Sequence, residues 1–272
     1  MALLRRLVLG SSVVALAAGL VGCSGQAAPE AAPTSAVPAT TSPAPTPTPT
    51  PSPTPTSVIE LTADTFARVM SSSAATSCTF TLDSTSQGQE ITADGAVRTA
   101  ADGTDELVLK MAVPGQSNAE FRVVGGVWYV NMGDQTGGKF ITGDPSDPDG
   151  PFAGMAGVFD SVNPNRGFAV FADAIVSVTP TGGSELVGGV PTQAYDIVID
   201  TTKLTDKVRA EQFDDTAPLP MQVSFRYWVA ADGLVRRMEG DVQGEHQVMT
   251  FSNWGEPVDI AAPAPDQIID LG

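Results

Sequence analysis

Histidine is almost missing from this 272-residue chain: there is one, His246. A single imidazole excludes any site that needs two, and it leaves a Ser-His-Asp mechanism hanging on one residue. His246 lies between Glu245 and Gln247 in what reads as an edge or exposed strand position. Positive charge is scarce as well. Lys and Arg together number 14 against 31 acids, a formal charge of −17. Nucleic acid and anionic lipid surfaces repel such a chain, so a nucleic-acid partner is excluded. No apolar run reaches the roughly 20 residues that a membrane-spanning helix needs. The motifs of familiar chemistry are missing too. The nearest string to G-x-S-x-G, Gly115-Gln116-Ser117-Asn118-Ala119, fails at its last position and reads as a turn. No glycine-rich phosphate loop precedes a helix. Asp144, Asp147 and Asp149 before Gly150 resemble a calcium loop, but the alignment puts Pro145 on the first ligand position. It also puts Ala156 where the bidentate Glu belongs, so the stretch reads as a solvated acidic loop. No metal, cofactor or catalytic residue is expected, and the chain is not read as an enzyme.

What the chain does have begins at its N-terminus. Arg5 and Arg6 precede an apolar run from Leu7 to Val21, which is a charged segment followed by a secretory apolar one. Leu20-Val21-Gly22-Cys23 closes it as a lipobox. Cleavage is expected between Gly22 and Cys23, with the Cys23 thiol carrying a diacylglycerol. Only a thiol can take the thioether, and two or three acyl chains anchor stably where one does not. Arg5-Arg6 also fits a twin-arginine leader, so the export route stays open between the two systems. Removing the leader leaves 12 basic side chains against 31 acids, a formal charge of −19. The acyl anchor, not a basic patch, then holds the protein to the outer side of the cell membrane. With Cys23 acylated, Cys78 has no partner for a disulfide. It alternates with Phe80 and Leu82 and reads as a small buried hydrophobe.

Residues 24–57 carry almost no large apolar side chain, and from Thr41 to Ser57 Pro alternates with Thr or Ser. That composition predicts an extended, solvated tether reaching at most roughly 100 Å. Its threonines are candidate O-glycosylation sites, with an unmodified spacer as the alternative.

Residues 58–272 predict one folded domain. Thr62 caps a short helix with Phe66, Val69 and Met70 on one face. The period then becomes two: Cys78, Phe80 and Leu82, then Leu107, Leu109, Met111 and Val113, then strands either side of Gly125-Gly126. An antiparallel meander over 78–132 follows, turning at Gly88, Asp102-Gly103 and Gly115. Phe152, Met155, Val158 and Phe159, and then Phe168, Phe171, Ala172 and Ile175, have helical spacing. Strands are predicted over 175–186 and 193–199 about Gly188-Gly189, a polar helix over 201–212, and strands again over 221–229, 234–241 and 246–254. The fold class is α+β: one large antiparallel sheet with a few short amphipathic helices. Phe66, Met70, Leu109, Met111, Phe159, Phe168, Phe171, Phe225 and Met249 are candidates either for an ordinary core or for the adaptable wall of an acyl-chain site.

Several strings carry a family resemblance: Thr250-Phe251-Ser252-Asn253-Trp254-Gly255-Glu256-Pro257-Val258-Asp259-Ile260, Gly126-Val127-Trp128-Tyr129-Val130, Gly188-Gly189-Val190-Pro191-Thr192 with Tyr195, and Trp228 to Arg237. In this order they resemble mycobacterial LppX/LprG-type lipoproteins over roughly residues 61–269. The resemblance implies a LolA-like fold, a curved antiparallel half-barrel with short helices over its concave face. It also implies an apolar cavity for the acyl chains of envelope (glyco)lipids, a role in moving them across the envelope, and a membrane lipid exporter as a possible partner. A sensor or interaction module of the same fold without cargo is the alternative, and a hydrolase built on carboxylates alone is the third.

Overall fold

Period-two alternation between residues 77 and 252 becomes eleven strands in a computed structural model, which describes residues 59–71, 75–86, 88–112, 114–115, 117–144, 152, 169–213 and 218–269. These belong to one compact unit; the other, Leu9–Pro55, lies outside the described residues. So do Gly22 and Cys23, the tether, the acidic loop from residue 145 onward, Val113, Phe159 and Phe168.

The strands are β1 (Ser77–Ser86), β2 (Gln89–Thr99), β3 (Asp105–Ala112), β4 (Ala119–Val124), β5 (Val127–Asn131), β6 (Ile141–Gly143), β7 (Ile175–Val187), β8 (Val190–Asp200), β9 (Gln222–Ala230), β10 (Val235–Val242) and β11 (Glu245–Ser252). They form a single antiparallel sheet in the order β6-β5-β4-β3-β2-β1-β11-β10-β9-β8-β7. β6 and β7 are its edges, so it stays an open half-barrel. The join between β1 and β11 sews the early meander to the late one, with Phe80 facing Phe251 and Leu82 facing Met249. Tight hairpins make the meanders possible. Gly125 and Gly126 both have positive φ, at 57° and 79°, which the two-residue turn between β4 and β5 requires.

One face of the sheet is apolar and carries the core. Helix α1 (Ala63–Ser71) packs on it, presenting Phe66 and Met70, both buried. Thr62 starts the helix as expected: its carbonyl accepts the Phe66 N–H at 2.8 Å, and its own N–H donates to Thr65 Oγ1 at 2.9 Å. The Phe66 ring lies 5.6 Å from that of Tyr227 on β9. The Tyr195 hydroxyl on β8 donates to the carbonyl of Ile59, tying the chain ahead of α1 to the sheet.

Two expected helices come out differently. Over 168–175 the described part is a 3₁₀ turn, Ala169–Ala174, and Ile175 already begins β7, paired with Ile199. The β-branched Ile175, Val176 and Val178 suit a strand, and pairing with β8 decides between the two periods. The polar helix over 201–212 is divided. The Asp200 carboxylate accepts the Thr202 N–H at 3.0 Å and starts a 3₁₀ turn, Thr201–Lys203. Thr205 then caps α2 (Asp206–Gln212), its hydroxyl accepting the Val208 N–H at 3.3 Å. Two residues that compete for backbone donors each open a turn of their own.

The opposite face is polar, and residues 253–269 cross it as a strap. Ser77 Oγ donates to the Glu256 carbonyl at 2.8 Å. Arg98 donates to the carbonyls of Val258 and Ile260, and Arg122 to that of Ala261. The strap ends against β6's approach, where Phe140 and Ile268 form a parallel bridge.

Candidate functional site

In an antiparallel sheet, paired residues point to the same face, so register lines up side chains in rows across the strands. Met111 pairs with Ala93, Ala93 with Leu82, and Leu82 with Met249. Two of the three methionines expected at the site, Met111 and Met249, therefore share one row. It runs on through Met238 to Tyr227 and Tyr195. A second row holds Val130, Phe121, Leu109, Gly95, Phe80 and Phe251. A third holds Ser84, Gln247, Gly240, Phe225 and Ile197. Leu109, Met111, Phe225 and Met249 are thus brought onto one apolar face, and Phe66 and Met70 join them from α1. Phe171 is half-buried at the margin, its ring 6.4 Å from that of Phe213.

Two glycines shape this face. A Cβ on Gly95 would stand 2.5 Å from Cζ of Phe80, and one on Gly240 would meet the ring of Phe225. Each ring fills the place of a missing side chain, so neither has to stand up from the sheet.

Electrostatically the layer is dry. Burial pushes the Cys78 thiol up to about 12 and raises the Tyr227 hydroxyl well above its ordinary range. Tyr195 is also raised, by burial first and then by the nearby Glu60. The lining also carries polar side chains: Ser84 on β1 and, beside it on β11, Gln247, which is 3% exposed. Its register was legible in the alternation with Met249 and Phe251, and only its neighbour His246 drew attention in the sequence.

His246 is not on an edge strand, because β11 sits between β1 and β10. Its ring is half-exposed on the polar face, with Nδ1 3.0 Å from Asp241 Oδ1 across the β10–β11 pair. Among the described residues no group of three or more His, Cys, Asp or Glu side chains could hold a metal ion. Among them, too, no helix is long and apolar enough to cross a membrane. A cavity of about 420 Å³ opens at β2–β5 among Thr92, Asp94, Lys110, Glu120 and Asn131. Those side chains alternate with the buried ones of the same strands, so the cavity opens mainly on the polar face, although Met111 and Ala119 also border it.

An open half-barrel with short helices on its apolar face defines the LolA-like class of fold. Solved structures share it, among them two mycobacterial proteins. LprF from Mycobacterium bovis matches with a TM-score of 0.51 and 18% identity, over 74% of this chain and 97% of that one. The Mycobacterium tuberculosis lipoprotein LppX matches with a TM-score of 0.50 and 17% identity, over 73% and 98%. No protein-family model and no curated protein matches the chain. The resemblance to LppX/LprG-type lipoproteins thus holds at the level of the fold, which by itself does not fix function.

Proposed function

We propose that this chain is a lipid-anchored, non-enzymatic carrier of the cell envelope that binds acylated lipid or lipoglycan against the apolar face of its sheet. Cys23, freed by cleavage after Gly22, holds the protein on the extracytoplasmic side of the membrane. Residues 24–57 tether the domain of residues 58–272. Its wall is formed by Leu109, Met111, Phe225 and Met249 from the sheet, Phe66 and Met70 from α1, and Phe159, Phe168 and Phe171 from the segment before β7. A membrane lipid exporter supplies the cargo, and no cofactor takes part.

The observation that carries this reading is the row from Met111 to Met249, an apolar line of adaptable side chains in a fold shared with the lipoprotein LppX. Each methylene moved from water to such a face is worth about 0.8 kcal/mol, so long acyl chains need volume more than special chemistry. The test is native mass spectrometry of the full chain from an actinobacterial host, before and after organic extraction. A lipid-sized mass that extraction removes supports the carrier, since the covalent anchor survives it. A folded, monodisperse protein free of such a mass overturns it in favour of a sensor or interaction module.

A further inference from the structure

A buried amide oxygen on the apolar face lacks a partner. Gln247 is 3% exposed, and its Oε1 makes no hydrogen bond. Register fixes its place, with Ser84 of β1 on one side and Gly240 of β10 on the other. Burial along β11 alternates through Gln247, Met249 and Phe251, so the amide points into the same layer as Met249. Gly240 brings no side chain, and the Phe225 ring lies over it. The row thus offers Gln247 one hydroxyl neighbour, one bare backbone and one aromatic ring. A buried acceptor left unpaired is costly, and in native proteins such groups are few. Leu or Met would fill the place without that cost.

We propose that Gln247 is the polar contact for the bound lipid, its Oε1 accepting a hydrogen bond from a hydroxyl carried close to the acyl chains. The inference rests on the carrier reading of the same face and narrows its ligand. An ester carbonyl is an acceptor and cannot satisfy this oxygen, whereas a hydroxyl can. The ligand class is therefore an acylated lipid with a free hydroxyl at its chain–headgroup junction. A fully esterified lipid, with no donor of its own, leaves this oxygen unpaired.

The test compares two probes that differ in one hydroxyl, 1,2-dipalmitoylglycerol and its 3-acetyl ester. Each is titrated into the delipidated full-length protein and into Gln247→Leu. The wild type is expected to bind the free-hydroxyl probe about five-fold more tightly. Gln247→Leu is expected to bind both as the wild type binds the ester. Without lipid, Gln247→Leu should melt about 2–4 °C higher, because the orphaned acceptor is gone. Should it not fold, Gln247→Met makes the same comparison. Equal binding of the two probes by the wild type, a preference that survives in the variant, or a lower melting temperature each overturns the inference and leaves the carrier reading standing. Failure of the wild type to bind either probe overturns both.

Discussion

Phe80 and Gly95 face each other across β1 and β2, and the ring lies so close over the glycine that a Cβ there would stand 2.5 Å from Cζ. Phe225 and Gly240 repeat the relationship across β9 and β10. What stands behind each glycine differs. At Gly95 an added methyl also meets the carbonyl oxygen of Val108, which is backbone on β3 and cannot swing away. At Gly240 the three nearest atoms all belong to the Phe225 ring. Gly95→Ala is therefore expected to destabilise the domain by about 1–3 kcal/mol, and Phe80→Leu should not restore it. Gly240→Ala should cost less and be largely rescued by Phe225→Leu. Urea unfolding of both double-mutant cycles measures this. Equal rescue at the two sites would refute the distinction.

The row from Met111 to Met249 gives a prediction about loading. A ring at either end projects over the same line of side chains, across Ala93 and Leu82. Met111→Trp and Met249→Trp should each lower the lipid that co-purifies with the protein, at a stability cost of about 1–3 kcal/mol. A tryptophan at Thr92, whose side chain is exposed on the polar face, should leave loading unchanged. Lipid per protein is read by extraction and mass spectrometry. Undiminished loading in well-folded Met111→Trp would remove Met111 from the wall.

The C-terminal strap is held by side chains that no local pattern announced. Arg98 pairs with Glu106, its Nε 2.6 Å from Oε2, and also donates to Ile260 O at 3.0 Å. Ile260 itself is 4% exposed. Ile260→Ala is expected to cost about 2–4 kcal/mol as a buried large-to-small change. Arg98→Met should cost about 2–4 kcal/mol, by leaving the buried Glu106 carboxylate without its cation and the Val258 and Ile260 carbonyls without their charged donor. Hydrogen exchange should show faster opening of the strap in both variants. Exchange unchanged in Arg98→Met would mean that the arginine does not hold it.

Most strands were legible because each carries its own period-two alternation and ends at a turn residue with positive φ, as at Gly125-Gly126 and Gly188-Gly189. The helical reading of Phe168, Phe171, Ala172 and Ile175 went astray at Ile175, where one residue fits both periods. Its strand partner Ile199 lies 24 positions away, beyond any local window. The candidate wall was legible in a similar half-way fashion. That Met111 and Met249 point inward follows from their own strands. That they share a row depends on the β1–β11 pairing, which joins the two ends of the domain. Gln247 carried a signal that was passed over: a polar residue stood at an inward position of an otherwise apolar alternation. Phe159, Phe168 and Cys23 lie outside the described residues and remain part of the proposal.

Three buried acids are expected to lower the stability of the fold at alkaline pH. Cys78 is 0% exposed, and burial pushes its thiol from an ordinary 9.0 up to about 12. Tyr227 and Tyr195 are raised above an ordinary 10.0, chiefly by burial. A raised value means that folding favours the protonated form. Below pH 9 both folded and unfolded chains keep the Cys78 proton, and its contribution to stability is fully present. As pH rises above 9 the unfolded chain ionises while the folded one does not, and stability falls by at most about 1.4 kcal/mol per pH unit for this group. The tyrosines add their own loss above pH 10. Urea midpoints measured from pH 8 to 11 should therefore decline from about pH 9. Cys78→Ala should decline less steeply between pH 9 and 10, whatever the packing cost of the substitution at neutral pH. In the native wild type the Cys78 thiol should also resist an aromatic disulfide reagent at pH 8 and react once the chain is unfolded in urea. Rapid labelling of the folded protein would show that the thiol is not sealed in the core, and a flat stability profile to pH 11 would show that its ionisation is not linked to folding.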